Sequence, residues 1–285
     1  MKTLKSKPVL FSLIIILLIL IFHRVPLYKL FSILGLNEYN SNSYDKVVIN
    51  SISVIGILLI IKKNHIPFRL FSFSLKNLKY YLPLLFYILI FSGGFNDFQN
   101  FNFTSINLDT LLSYTLKYAS SSFLEEFIFR GLILGVFLLN YPKTKRGILK
   151  SVMLSGLIFG LMHIINLWSF DNQTIKGVLN QVYATACFGI MYGATYIKTR
   201  SLLTLGLLHF FSNFFSQISE LNFIEVISNS TTIADKSLVN IIISEIFRLI
   251  VYGIPLIIGL FLIYNTNEKD LNTLTRSAKS PDLAE

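Results

Sequence analysis

The chain of 285 residues is 53% hydrophobic and only 14% charged, whereas soluble domains carry about 25% charged residues. Its mean hydropathy of +0.62 excludes an ordinary soluble domain, and its single cysteine excludes a disulfide framework. The net charge of +10 would suit a nucleic-acid ligand, so the positions of the basic residues must decide its meaning.

Eight apolar segments approach the length of about 20 residues that a helix needs to cross the hydrocarbon core. In chain order they are 8–23, 47–61, 80–95, 111–139, 149–168, 175–197, 201–217 and 238–264. The first segment follows basic residues, as a signal peptide would, but no small-residue cleavage site follows it. We therefore predict an all-α, polytopic membrane bundle of about eight transmembrane helices.

The basic residues predict the topology of this bundle. With the N-terminus in the cytoplasm, 17 of the 25 Lys and Arg residues lie on the cytoplasmic side and 5 lie outside. The positive-inside rule then places both termini in the cytoplasm, and we expect a multi-pass protein of the plasma membrane. The positive charge is thus a topology signal, and we expect no nucleic-acid partner.

The fourth segment carries three ionisable residues within six positions, namely Glu125, Glu126 and Arg130. One such residue near the bilayer centre costs about 2.5–3.5 kcal/mol on insertion scales. Residues four apart share a helix face, so Glu126 and Arg130 are expected to form an ion pair. Glu125 points elsewhere, towards the face of Ser121 and Ser122, and has no counter-ion on its own helix. A buried polar cluster without activity would explain the ion pair but not Glu125.

Two later segments add polar side chains that could complete a site. His163 lies in the fifth segment, and His209 lies in the seventh with Asn213 one turn further on. A carboxylate and an imidazole can deprotonate a water, while an amide and a second imidazole can stabilise an oxyanion. Two histidines and a carboxylate can also hold a divalent metal with an open position, and the residue types alone leave both possibilities open.

Glycines four positions apart recur in the segments that carry these polar residues. Such spacing lets helices approach closely in lipid. The pairs are Gly131 and Gly135, Gly156 and Gly160, and Gly189 and Gly193. They favour a compact arrangement of the fourth to seventh segments.

The sequence resembles the CPBP family of CAAX-processing and bacteriocin-processing proteases, also called the Abi family. The three matching motifs are Glu125-Glu126-x-x-x-Arg130, Phe159-x-x-x-His163 and His209-x-x-x-Asn213. The resemblance covers about 120–215 and implies a catalytic core formed by helices 4–7. It divides the chain into N-terminal helices 1–3 over 1–110, a protease core over 111–217, and the last helix with a polar cytoplasmic tail over 218–285.

The resemblance implies an intramembrane endopeptidase, like the enzymes that trim prenylated CAAX tails. Glu125 would be the general base on water, assisted by His163. His209 and Asn213 would form the oxyanion hole. The residues with a supporting role would be Glu126, Arg130 and Phe159. The expected partners are the lipid bilayer and a membrane-associated peptide or protein, either of the CAAX type or of a bacteriocin or pheromone type.

We expect no cofactor, since some members of the family are described as metal-independent glutamate proteases. The alternative is a divalent metal such as zinc, held by Glu125, His163 and His209. The alternative function is a non-catalytic immunity or peptide-binding protein of the same family, in keeping with its link to bacteriocin immunity. A transporter with a proton relay is disfavoured, because the sequence lacks the paired broken helices of an inverted repeat.

Overall fold

The computed structural model describes residues 7–72, 74–91, 98–99, 101, 106–141, 143–168, 174–224 and 238–266. Over these ranges the chain is helical and forms no strand. The α-helices are α1 Pro8–Phe22, α2 Tyr28–Ile33, α3 Glu38–Lys63, α4 Leu78–Phe91, α5 Leu108–Glu126, α6 Leu134–Asn140, α7 Lys145–Met162, α8 Ile175–Thr199, α9 Leu202–Ser216 and α10 Leu238–Tyr264. Helices of the 3-10 type span Leu75–Asn77, His163–Trp168 and Ile218–Ile224, and a π-helix spans Phe127–Ile133.

Polar caps fix where four of the long helices begin. The side chains of Asn37, Asn107, Thr144 and Thr174 each accept a hydrogen bond from a backbone N–H three residues further on. Such caps satisfy donors that a helix start leaves free. The connection from α8 to α9 is tight, because Arg200 takes the left-handed conformation with φ of 55°.

Each of the eight predicted segments overlaps one or more of these helices. Among the described residues, three helices are long and apolar enough to cross a membrane, namely Glu38–Lys63, Lys145–Leu167 and Ile242–Tyr264. Pro8–Phe22 and Leu202–Ser216 are shorter apolar helices. The all-helical prediction is therefore confirmed for the described residues, while eight crossings remain a prediction. The third segment beyond Phe91 and the polar tail beyond Thr266 lie outside the described residues.

Helix α3 is longer than the segment predicted at 47–61, because it begins at Glu38. Lys46, expected in a loop, therefore lies within the helix. The additional turns, over residues 38–46, carry polar residues that are buried against α5. The low hydropathy of these residues therefore reflects a buried polar contact between helices and not a loop. Further along, the Asn50 amide donates to the hydroxyls of Ser120 and Ser121 at 3.0 and 3.1 Å.

The segment predicted as one span over 111–139 is interrupted by the π-helix Phe127–Ile133. A π-helix accommodates an extra residue in its turns and occurs often at functional sites. This one begins directly after Glu126 and contains Arg130. All seven of its residues are buried, so the wider turn lies in the interior of the bundle.

Helices α7 and α8 approach to backbone contact through their glycines. A Cβ added at Gly160 would lie 2.6 Å from the carbonyl oxygen of Val182 and 2.6 Å from the Cβ of Ala186. A Cβ added at Gly189 would lie 2.8 Å from the Cα of Gly156. The close packing expected from the glycine spacing is confirmed for these two helices. Helix α3 packs along α5 and α10 along α8, so helices outside the predicted four-helix core join it.

We expect Gly160→Ala to lower the free energy of unfolding by about 1–3 kcal/mol, the usual cost of overpacking. The contacts at 2.6 Å include backbone, which cannot rotate away. Thermal unfolding of the purified protein in detergent measures the effect. Gly56→Ala in α3 is the matched control, because its Cβ would meet nothing within 4 Å and alanine is the better helix former. Equal unfolding temperatures for Gly160→Ala and the parent would contradict the packing argument.

Candidate active site

The first feature of the site is the ion pair between Glu126 and Arg130. Arg130 Nη1 lies 3.0 Å from Glu126 Oε1, which confirms the pairing expected from their i, i+4 spacing. The two residues are 0% and 1% exposed. Each charge therefore depends on the other, because water does not reach either of them.

Two aromatic rings enclose the other side of the arginine. The Arg130 guanidinium carbon lies 4.8 Å from the ring centre of Phe159 and 5.1 Å from that of Tyr192. A cation over an aromatic face is attracted by the ring quadrupole, more strongly when desolvated. Phe159 belongs to α7 and Tyr192 to α8, so Arg130 ties three parts of the bundle together.

The imidazole of His209 lies between the two glutamates. Its Nδ1 is 2.8 Å from Glu126 Oε1, and its Nε2 is 3.5 Å from Glu125 Oε2. A carboxylate only accepts hydrogen bonds, so Nδ1 carries the hydrogen that it donates to Glu126. Sequence reasoning missed this contact, because it joins residues 83 positions apart on different helices.

The two glutamates differ in how far they can be reached. The Glu125 side chain is 22% exposed and that of His209 is 12% exposed, whereas Glu126 is closed off completely. Their adjacent positions on α5 point about 100° apart. Glu125 is therefore the carboxylate that a substrate could contact, while Glu126 is held behind it.

Asn213 joins the site through the hydroxyl of Ser122, a residue that the sequence placed on the face of Glu125. The Asn213 Nδ2 donates to Ser122 Oγ at 2.9 Å. Ser122 is fully buried and lies on α5 one turn before Glu125 and Glu126. Asn213 and His209 lie one turn apart on α9, as their spacing predicted. The hydroxyl thus holds the Asn213 amide beside the carboxylates.

His163 is placed at the site by contacts with Phe159. It follows the last residue of α7, and its Nδ1 donates to the carbonyl of Phe159 at 3.0 Å. Its ring stands perpendicular to that of Phe159 with centroids 5.2 Å apart, and Phe159 meets His209 edge-on at 6.2 Å. Within the described residues His163 has no hydrogen bond or ion pair with Glu125. The structure therefore brings His163 to the site through Phe159.

The alternative metal ligands do not converge in this structure. Over the part of the chain that is described, no three His, Cys, Asp or Glu side chains are arranged to hold a metal ion. Zinc bound by Glu125, His163 and His209 stays an alternative prediction.

A known family matches the central segment of the chain. Residues 107–215 match the family described as Rce1-like, Type II CAAX prenyl endopeptidase Rce1-like. The match includes all seven predicted site residues and confirms the resemblance to the CAAX proteases over this segment. No curated protein and no solved structure matches the chain. With its long apolar helices, the chain is an integral membrane protein whose central segment matches a protease family.

We expect Arg130→Met to lower the free energy of unfolding by about 3–5 kcal/mol, because it leaves the buried Glu126 charge unpaired. Unfolding in detergent measures the effect, and adding Glu126→Gln should recover part of the loss. The matched control is Arg248→Met in α10. Arg248 pairs with Glu245 in a more open place, where Lys176 stays 2.8 Å from the same carboxylate. Equal decreases in the free energy of unfolding of the two arginine variants would contradict the stabilising role of the buried Glu126–Arg130 pair.

Proposed function

We propose that this chain is an intramembrane endopeptidase, which hydrolyses a peptide bond of a membrane-associated peptide or protein. The observation that carries the proposal is the unequal environment of the paired glutamates. Glu126 is enclosed and paired with Arg130, whereas Glu125 is accessible and lies 3.5 Å from an imidazole nitrogen. The match of residues 107–215 to the CAAX endopeptidases supports the same reaction.

In the proposed reaction Glu125 takes a proton from a water, and the water oxygen attacks the carbonyl carbon of the scissile bond. The carbon–nitrogen bond then breaks, and the proton held on Glu125 passes to the departing amine. A positioned general base contributes typically about 10²–10⁴-fold to such a rate. His163 is proposed to assist, because its Nδ1–H is used by the Phe159 carbonyl and its Nε2 keeps a free lone pair.

The oxyanion of the tetrahedral intermediate needs donors fixed in place before the reaction. We assign this role to His209 and Asn213. Glu126 orients the first by accepting the Nδ1 hydrogen, so His209 donates to the oxyanion through Nε2–H as the doubly protonated imidazolium. Ser122 orients the second by accepting an amide hydrogen. Glu126 and Ser122 are thus positioning residues. No step of this scheme needs a metal.

The substrate class follows from where the site lies. Its residues are on apolar helices, so the peptide must reach it from within or beside the membrane. A lipidated CAAX-type tail and a bacteriocin or pheromone precursor both meet this requirement, and the family match favours the first.

Membranes with the parent protein should release a defined set of peptides that membranes with the Glu125→Gln protein do not. We expect this because the substitution lowers the rate of peptide-bond hydrolysis at least about 100-fold. Comparing released peptides by mass spectrometry measures this. Glu245→Gln on α10 is the isosteric control and should release the parent set. Peptidase activity should also survive prolonged exposure to a chelator. Loss of activity under these conditions would contradict a metal-independent mechanism. A peptide-binding or immunity phenotype that survives Glu125→Gln would favour the non-catalytic alternative.

We expect Ser122→Ala to lower kcat about tenfold with little change in KM, because the Asn213 amide loses its acceptor but substrate contacts remain. An internally quenched peptide with a farnesylated cysteine followed by three residues is the probe. Ser120→Ala is the matched control, since the Ser120 hydroxyl bonds to Asn50 and the Lys117 carbonyl and not to Asn213. Equal kcat values for the Ser122→Ala and Ser120→Ala variants would contradict the proposal that Ser122 positions the Asn213 amide.

A further inference from the structure

An arginine at the connection between α8 and α9 is buried without a counter-ion among the described residues. Arg200 is only 7% exposed, and its Nη1 and Nη2 have no hydrogen-bond partner in the described part of the chain. Its guanidinium carbon lies 5.3 Å from the ring centre of Tyr196. The ring face attracts the charge but accepts none of the N–H hydrogens in the guanidinium plane. Because an unpaired charge away from water is costly, an anionic partner would stabilise this position.

The backbone at Arg200 is strained as well. Its φ of 55° lies in the left-handed region, which glycine adopts at little cost and a larger residue adopts with strain. Helices commonly end on a glycine in this conformation, whereas α8 ends on an arginine. The strained position therefore indicates a use of the Arg200 side chain that glycine would not provide.

Helix α9 starts directly after this turn without a side-chain cap. Ser201, the residue before its first, makes no capping hydrogen bond, and its hydroxyl is paired with Thr204 Oγ1 at 2.8 Å. The start of a helix carries a partial positive charge and N–H groups that bind phosphate well. His209 lies seven residues into α9, about 10 Å along the axis, so this end is separate from the candidate active site.

The Arg200 guanidinium and the start of α9 are close to each other. The Tyr196 hydroxyl accepts from the Arg69 N–H at 3.1 Å, and the carbonyl of the next residue, Leu70, accepts from the Leu203 N–H at 3.0 Å. This short stretch of backbone thus contacts both the ring beside the guanidinium and the first turn of α9. The side chains of Arg69 and Leu70 are exposed, so the guanidinium lies just below the surface of the bundle.

The connections around this turn are basic. The segments 62–79, 143–150 and 198–200 hold eleven Lys and Arg residues and no Asp or Glu. Lysines of the last two segments both bond to carbonyls at the C-terminal end of α10, so these segments lie at one end of the bundle. The positive-inside rule predicts that this end is cytoplasmic. Basic pockets between helices on that side of a membrane bind the phosphates of anionic lipids.

We propose that the turn between α8 and α9 binds the phosphate group of an anionic ligand, with the Arg200 guanidinium as its main donor. A guanidinium donates two parallel hydrogen bonds to one phosphate, and the start of α9 adds N–H donors. The phosphate belongs to a lipid headgroup or is free in solution. Leu70 is 42% exposed and Phe71 is 57% exposed, which favours a lipid, whose chains would cover them. The proposal does not depend on the proposed function, because binding needs no hydrolysis.

Thermal unfolding of the full-length protein in nanodiscs tests the site. The discs contain phosphatidylcholine, alone or with about one tenth of the anionic phosphatidylglycerol. We expect phosphatidylglycerol to raise the unfolding temperature of the parent by about 5 °C, the scale for a ligand at about 100 times its Kd. Arg200→Met and Arg200→Gly should show no such rise. An equal rise in the parent and in both variants, or no rise in the parent with either lipid or inorganic phosphate, would overturn the proposal.

Arg200→Gly also guards against a variant that merely fails to fold. In phosphatidylcholine alone it should unfold no earlier than the parent, because it removes both the unpaired charge and the backbone strain. The matched control is Arg146→Met, which removes an exposed arginine at the same end of the bundle and should keep the full rise. Loss of the rise in Arg146→Met as well would mean that overall charge attracts the lipid, and would overturn the proposal.

Inorganic phosphate, added to the parent in phosphatidylcholine discs, distinguishes the two sources of the phosphate group. A rise with phosphatidylglycerol alone that is lost in Arg200→Gly supports a lipid headgroup at the site. A rise with inorganic phosphate that is lost in the same variant supports the site with free phosphate as its ligand.

The competing explanation is a counter-ion from the chain itself. Glu268 and Asp270 follow Thr266, the last described residue. A double variant, Glu268→Gln with Asp270→Asn, should keep the rise that the parent shows with phosphatidylglycerol. A rise that appears in this double variant and not in the parent would mean that a carboxylate of the chain neutralises Arg200, and would overturn the proposal.

Discussion

A charge pair buried among apolar helices governs the rest of this structure. Glu126 and Arg130 are both closed to solvent and lie 3.0 Å apart. Charges at such depth persist only when partners are arranged around them. Those partners come from different helices, with Phe159 on α7, Tyr192 on α8 and His209 on α9. The need to accommodate one pair on α5 thus fixes how four helices meet.

The same pair explains why adjacent glutamates differ. Glu126 is neutralised by Arg130 and uses the same oxygen, Oε1, to accept from His209. Glu125, one position earlier, points to the other ring nitrogen and stays partly accessible. Glu126 therefore orients His209 through Nδ1, while Nε2 faces the accessible Glu125. A single imidazole links the structural carboxylate to the one that we propose to be catalytic.

Local spacing predicted the parts of the site that lie within one helix. The Glu126–Arg130 pair follows from i, i+4 geometry, and so does the placement of His209 and Asn213 one turn apart. Contacts between helices could not be predicted in this way, because they depend on how each helix is rotated and shifted against its neighbour. The bond from Asn213 to Ser122 and the contact from Glu126 to His209 are of this kind.

The π-helix after Glu126 could not be predicted either, because the run 127–139 is apolar except for Arg130 and contains no Pro. Its wider turns arise where the buried Arg130 and its aromatic neighbours must fit between helices. Hydropathy likewise placed the start of the second segment too late, at 47 instead of Glu38. The polar residues at the start of α3 are buried against polar residues of α5, and a hydropathy window cannot distinguish such burial from exposure to water.

The helices that support the site extend beyond the segment that matches the CAAX endopeptidases. All seven predicted site residues lie within that segment, 107–215. Helix α3 lies outside it, yet its Asn50 bonds to the hydroxyls of Ser120 and Ser121 on α5, close to Glu125. The position of Glu125 therefore depends on packing against a helix that the family match does not cover.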